Sequence, residues 1–120
     1  LKSGEFAIGG KLDEWAGGIV QTEDGGFAIS GTYFNDADQA SWSNISPTRM
    51  YLVKLDSMGR FKWDRLDSGN CMGHGLTVIT NTSTDQQNIV TIGDYMNSGS
   101  YYAMIDCFDL LGNSVWSKQI

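Results

Sequence analysis

Few side chains in this chain are spaced for chemistry. Cys71 and His74 make a Cys-x-x-His half-site of the kind that begins a zinc centre. A structural zinc takes four ligands, and with Cys107 the chain offers only three thiolate or imidazole donors (2 Cys and 1 His). No metal or other cofactor is expected. Asp36 and Asp38 alternate as the carboxylates of a calcium loop do, but the central Gly and closing Glu of such a loop are missing. Asp64 and Asp67 have the types of a glycosidase pair, yet a sequence supplies no separation to test them. No nucleophile–base set, Walker loop or Gly-x-Gly-x-x-Gly fingerprint is present. Enzymatic activity is not expected.

Binding chemistry is better represented. The segment Asn35–Thr48 runs for 14 residues (48−35+1), is polar, and contains the single proline, Pro47. Loops of that length are usually either functional or disordered. Within and beside it, Trp42, Tyr33, Asp36 and Asp38 combine aromatic faces with carboxylates, a combination suited to a ligand or partner contact, sugar stacking included. Cys71 and Cys107 are read as one disulfide closing a loop of roughly 35 residues, a cross-link worth about 3–4 kcal/mol in the chain-entropy picture. The other reading is two small buried thiols.

The elements that carry these residues follow from an internal repeat. Met50–Trp63 reads as two strands about a tight turn, and Met104–Trp116 is a degraded copy. Asp56 and Asp109, Gly59 and Gly112, and Trp63 and Trp116 are all separated by 53 residues (109−56, 112−59, 116−63). Asp at the first turn position binds backbone N–H groups ahead of it, and Gly at the fourth accepts positive φ. Upstream, Asp24-Gly25-Gly26 signals a hairpin before the alternating stretch Phe27–Phe34. Phe27 and Gly31 return as Ile89 and Gly93 at an offset of 62, so the first unit holds nine additional residues (62−53) in the Asn35–Thr48 segment. First strands are expected at Ile19–Thr22 and Leu76–Thr80, with Asp67–Gly75 as a glycine-rich connection. Trp63 and Trp116 are expected in the packing between units. No stretch sustains a 3.6 period.

Composition agrees with a compact β-rich chain. Hydrophobic residues at 41% and aromatics at 12% argue against disorder, and 15 Gly with 1 Pro fit many tight turns. The net charge of −6, with eight scattered basic residues, disfavours nucleic acid as a partner. No run approaches the roughly 18 apolar residues of a membrane-spanning helix. Leu1–Ile8 has no apolar core of the signal-peptide type.

Laid out in this way, the chain resembles a family of bacterial β-propeller repeats found in secreted and surface-attached proteins. The first unit matches the repeat at Ala16, Ile19, Thr22, Asp24, Gly25, Gly26, Phe27, Gly31, Leu52, Lys54, Leu55, Asp56, Gly59 and Trp63. The second keeps Gly93, Ile105, Phe108, Asp109, Gly112, Trp116 and Lys118, but has Cys107 where the pattern has Lys. The resemblance implies an extracellular or cell-surface setting and a binding or scaffold role with no catalytic residues.

The fold expected is all-β: two four-stranded antiparallel blades, 11–69 and 70–120, with a lead-in at 1–10 carrying an extra strand at Glu5, Phe6, Ala7 and Ile8. Closed propellers have about 4–8 blades. Two blades therefore imply a homo-oligomeric ring or filament, or further blades of a longer chain. The extra strand is the expected assembly element. The function expected is a non-enzymatic structural or interaction module that self-associates through strand edges. The alternative is a carbohydrate- or ligand-binding module using the Asn35–Thr48 loop.

Overall fold

The computed structural model describes residues 14–34, 48–67 and 71–120. These residues form eight strands and no helix. β1 (Glu14–Gln21), β2 (Phe27–Phe34), β3 (Thr48–Leu55) and β4 (Phe61–Leu66) lie side by side in the first sheet. β5 (Cys71–Asn81), β6 (Gln86–Asn97), β7 (Ser100–Asp109) and β8 (Ser114–Gln119) repeat that order in the second. Every pairing is antiparallel. The expected strand Glu5–Ile8 and most of the Asn35–Thr48 segment lie outside the described residues.

The sheets stack face to face. On the first, Ala28, Ser30 and Thr32 of β2 alternate inward, as do Met50, Leu52 and Lys54 of β3. On the second, Ile89, Thr91 and Gly93 of β6 face them. Ala28, Leu52 and Ile89 form the core, flanked by Val20, Trp63, Leu76, Val78, Phe108 and Leu110. Because side chains alternate with period two, one register places all of these on the buried faces together.

The stretch Asp67–Gly75, expected to connect the units, is strand from Cys71 onward. β5 begins at Cys71 and includes Met72, Gly73 and His74. The glycine there serves close approach, not a turn. A Cβ on Gly73 would strike the Gly31 carbonyl and lie 2.8 Å from Met50 Cγ. With no side chain in the way, Gly73 N–H donates to the Thr32 hydroxyl at 3.0 Å, and that hydroxyl donates to the Gly73 carbonyl at 3.3 Å. β1 is also longer than expected, starting at Glu14, and each first strand carries a one-residue bulge, at Gly17 and at His74.

The two Asp-x-x-Gly turns match atom for atom. Asp56 Oδ1 accepts the N–H groups of Met58 and Arg60, and Asp109 Oδ1 accepts those of Leu111 and Asn113. Gly59 and Gly112 have φ of 79° and 88°, in the region that disfavours a Cβ. The paired tryptophans differ. Trp63 covers Gly112 and donates Nε1–H to the Leu110 carbonyl at 3.0 Å, whereas Trp116 stays 38% exposed. The second sheet has no third sheet over it among the described residues, so an identical strand position meets solvent.

Gly59→Val and Gly112→Val should each lower the unfolding free energy by about 1–3 kcal/mol, because a β-branched residue is strained at positive φ. The loss should be greater at Gly112, where a Cβ would also press on the Trp63 ring at 3.1 Å. Urea denaturation of both variants checks this, and unchanged midpoints would refute the turn assignment.

Candidate functional site

The most strongly organised polar group in the structure is built on β3. Lys54 is fully buried, and its ammonium donates to the Leu55 carbonyl at 2.9 Å and pairs with the Asp24 carboxylate at 3.0 Å. Asp24 belongs to the β1–β2 turn and also receives the Thr22 hydroxyl and the Gly26 N–H. Burial alone would raise the Asp24 carboxyl. These donors outweigh it and hold the group down at about 2. Space for the lysine comes from Gly26, where a Cβ would lie 2.6 Å from Lys54 Nζ, and from the small Ala28 opposite it in register.

The second sheet meets the same position differently. Lys54 corresponds to Cys107 (107−54 = 53), Gly26 to Asn88 and Ala28 to Val90 (88−26 = 90−28 = 62). The Asp-Gly-Gly turn is gone, and a turn ending at Asp85, φ 56°, replaces it. The long cation has gone with its anion. Larger side chains at Asn88 and Val90 surround the shorter Cys107, which is fully buried. Burial pushes the Cys107 thiol up, opposed by a hydrogen bond from Asn88.

A groove of about 270 Å³ opens between the outer strands of the two sheets, lined by Met50, Arg65, Asp67, Asp106, Phe108 and Ser117 among others. Asp106 breaks the repeat, standing where the first sheet has Val53 (106−53 = 53). It is only 6% exposed, and its Oδ2 is buried without a hydrogen-bond partner. Burial pushes this carboxyl up, against the Ser117 hydroxyl and helped by the charge of Asp67. The buried Asp106 Oδ2 is the unsatisfied acceptor on the wall of this groove. The His74 ring bonds Asp94 at 2.7 Å on the exposed surface.

Of the site residues expected from the sequence, Tyr33 is described and half-buried on β2, on the face turned away from the second sheet. Trp42, Asp36 and Asp38 lie outside the described residues, as do Glu5, Phe6, Ala7 and Ile8. The expected Cys71–Cys107 disulfide is corrected: both cysteines are free and buried. Register explains why. Cys71 pairs with Tyr95 and Cys107 with Val90, on opposite sides of β6 and five residues apart along it (95−90). That is about 17 Å along the strand and two strand spacings of about 4.8 Å across. A disulfide tolerates a Cα separation of at most about 7 Å. Cys71 Sγ instead accepts the Met50 N–H at 3.3 Å, and burial pushes its thiol up to about 11. Among the described residues, no three His, Cys, Asp or Glu side chains cluster as metal ligands.

Sequence reasoning included Lys54 in the repeat pattern without assigning it a role. The available signal was its phase, since Met50, Leu52 and Lys54 share one side of an alternating strand. A lysine in a buried phase needs an anion nearby, and Asp24 is lost from the second unit together with it. No known protein-family model matches the chain, and no curated protein matches it significantly.

The Asp24 carboxyl titrates lower in the folded protein, at about 2, than its ordinary value of 3.8. Its contribution to stability is therefore complete above that ordinary value and is lost as pH falls from 3.8 towards 2. Asp24→Asn should remove this part of the pH dependence, read from urea midpoints in acid. Lys54→Met should be milder in the Asp24→Asn background than alone, with a coupling of about 1 kcal/mol, because the carboxylate is partly solvent-screened.

Thiol titration checks the cysteines. Protein unfolded in urea without reductant should react at two thiols per chain, while folded protein at pH 8 should be inert because both sulfurs are buried.

Proposed function

We propose that this chain is a non-enzymatic structural and interaction module: two blades of a secreted or surface-exposed β-propeller-like array that completes itself by association. One observation carries the reading. The two sheets are repeats of one unit, and the sides they bury against each other are opposite sides of that unit. The first sheet buries the side bearing Leu52, Lys54 and Trp63, and the second buries the side bearing Ile89, Phe108 and Leu110. The remaining two sides are therefore the counterparts of a buried pair.

Their surfaces support this. The open side of the second sheet exposes Ile92 at 46% and Trp116 at 38%. The open side of the first exposes Ile19 at 62% and Leu66 at 51%, although Val53 and Leu55 at its centre are buried. Exposed large apolar side chains on both sides are what an interaction surface offers. A contact between unlike sides is heterologous, so it closes into a ring or grows into a filament. If each copy contributes these two blades alone, about 4–8 blades per closed propeller corresponds to rings of about two to four copies. Two groups with acid–base or nucleophilic chemistry, Lys54 and Cys71, are buried in structural bonds and so out of reach of a substrate.

Sedimentation equilibrium over a wide concentration range tests the reading. The expected result is a species of two or more chains that persists on dilution. A monomer at every concentration would overturn self-association.

A further inference from the structure

From the internal repeat we infer the specific contact by which a second copy of this chain docks: the open side of the second sheet takes the open side of the first sheet of its neighbour, in the register of the interface already present within one chain. This rests on the reading of the chain as a self-associating module and specifies the surface and the residues.

The internal interface supplies the template. At its inner edge, a Cβ on Gly18 would meet Leu76 Cδ2 at 3.0 Å, so β1 and β5 touch there. At its outer edge, Trp63 covers Gly112, and Arg65 Nε–H donates to the Gly112 carbonyl at 2.6 Å. Each of these residues has a counterpart one unit along. Gly18 pairs with Ser30 and Gly75 with Ile92, and Ile19 pairs with Ile29 and Leu76 with Thr91, both at the offset of 62 (92−30, 91−29). Gly75 thus corresponds to Gly18, and Ile19 to Leu76. Trp116 corresponds to Trp63 and Lys118 to Arg65 (116−63 = 118−65 = 53).

Advancing the template by one unit places Gly75 of one copy against Ile19 of the next. Trp116 then covers the neighbour's Gly59, and Lys118 reaches the carbonyl of that same glycine. The residues are in the condition this docking requires. Ile19 projects from β1 at 62% exposure, whereas its counterpart Leu76 is half-buried in the internal interface. The space over Gly75 is open, with a Cβ there meeting only Ile92 Cγ2 at 3.8 Å. Lysine keeps the donor that arginine supplies in the internal contact. The occupant is a copy of this chain because, among the described residues, the surface that fits such a side is the opposite side of the same repeat, which every copy carries.

Heterologous cross-linking tests the contact. Gly75→Cys and Ile19→Cys are prepared as separate full-length proteins, and a mild oxidant is added to each alone and to their mixture. The buried native thiols serve as the unmodified control. The inference expects a disulfide-linked species only in the mixture, and at least a tenfold loss of it when Trp116→Ala is added to the Gly75→Cys chain. Sedimentation of the same samples separates the two levels of the argument. Oligomers without the 75–19 cross-link, or cross-links within either single variant, would overturn this docking while leaving self-association intact. Monomers throughout would overturn both.

Discussion

A buried ammonium ion tolerates few surroundings, and the first sheet is arranged around one. Lys54 lies in the inward phase of β3, where its neighbours Met50 and Leu52 are apolar, so its charge needs a partner within reach. Asp24 supplies it from the turn between β1 and β2, binding three strands at one point. The demand spreads outward. The lysine stem requires Gly26 and Ala28 to be small, and the Asp24 carboxylate orders the turn through Thr22 and Gly26. In the second sheet the charge, its partner and the small residues are replaced together. A lone Lys at this point would leave a desolvated charge, and in the second unit the lysine is absent together with the aspartate.

Contact between the sheets obeys a different constraint, distance. The inner strands come so close that Gly73 cannot carry a side chain, while at the outer edge the gap is wide enough to need Trp63. Small residues inside and a large aromatic outside give a wedge. A wedge of this kind sets the angle between the two sheets, and it fixes which faces meet. Within the wedge, Ser30 Oγ and Thr91 Oγ1 are buried without partners, each at a cost of about 1–3 kcal/mol. Apolar packing and the polar contacts at the two edges must offset that cost.

Much of the architecture could be read directly. The spacing of Asp56, Gly59 and Trp63 against Asp109, Gly112 and Trp116 located both outer hairpins, and the later offset of 62 aligned β2 with β6. The readings that failed were those that depend on partners distant in sequence. Gly73 was taken for a connector because a glycine needed for close approach looks, in one dimension, like a glycine needed for a turn. Cys71 and Cys107 were paired because nothing in their spacing reveals that β6 separates them. Lys54 was placed in the motif, but its burial and its bond to Asp24 depend on strand register.

Local and periodic properties were legible in one dimension: the four-strand order of each unit, the alternation along the strands, the Asp-x-x-Gly turns, and a repeat that makes one unit the likeness of the other. Those features depend on residues a few positions apart, whose backbone preferences and phase are fixed by chirality and by the period of two. Packing in three dimensions fixes which side of each sheet is buried, that the two thiols are free, and that Trp63 is covered while Trp116 is 38% exposed. Each of these turns on which surface arrives opposite, and two residues of identical type and local setting acquire different environments when, among the described residues, one lies on the covered side of its sheet and the other on the uncovered side.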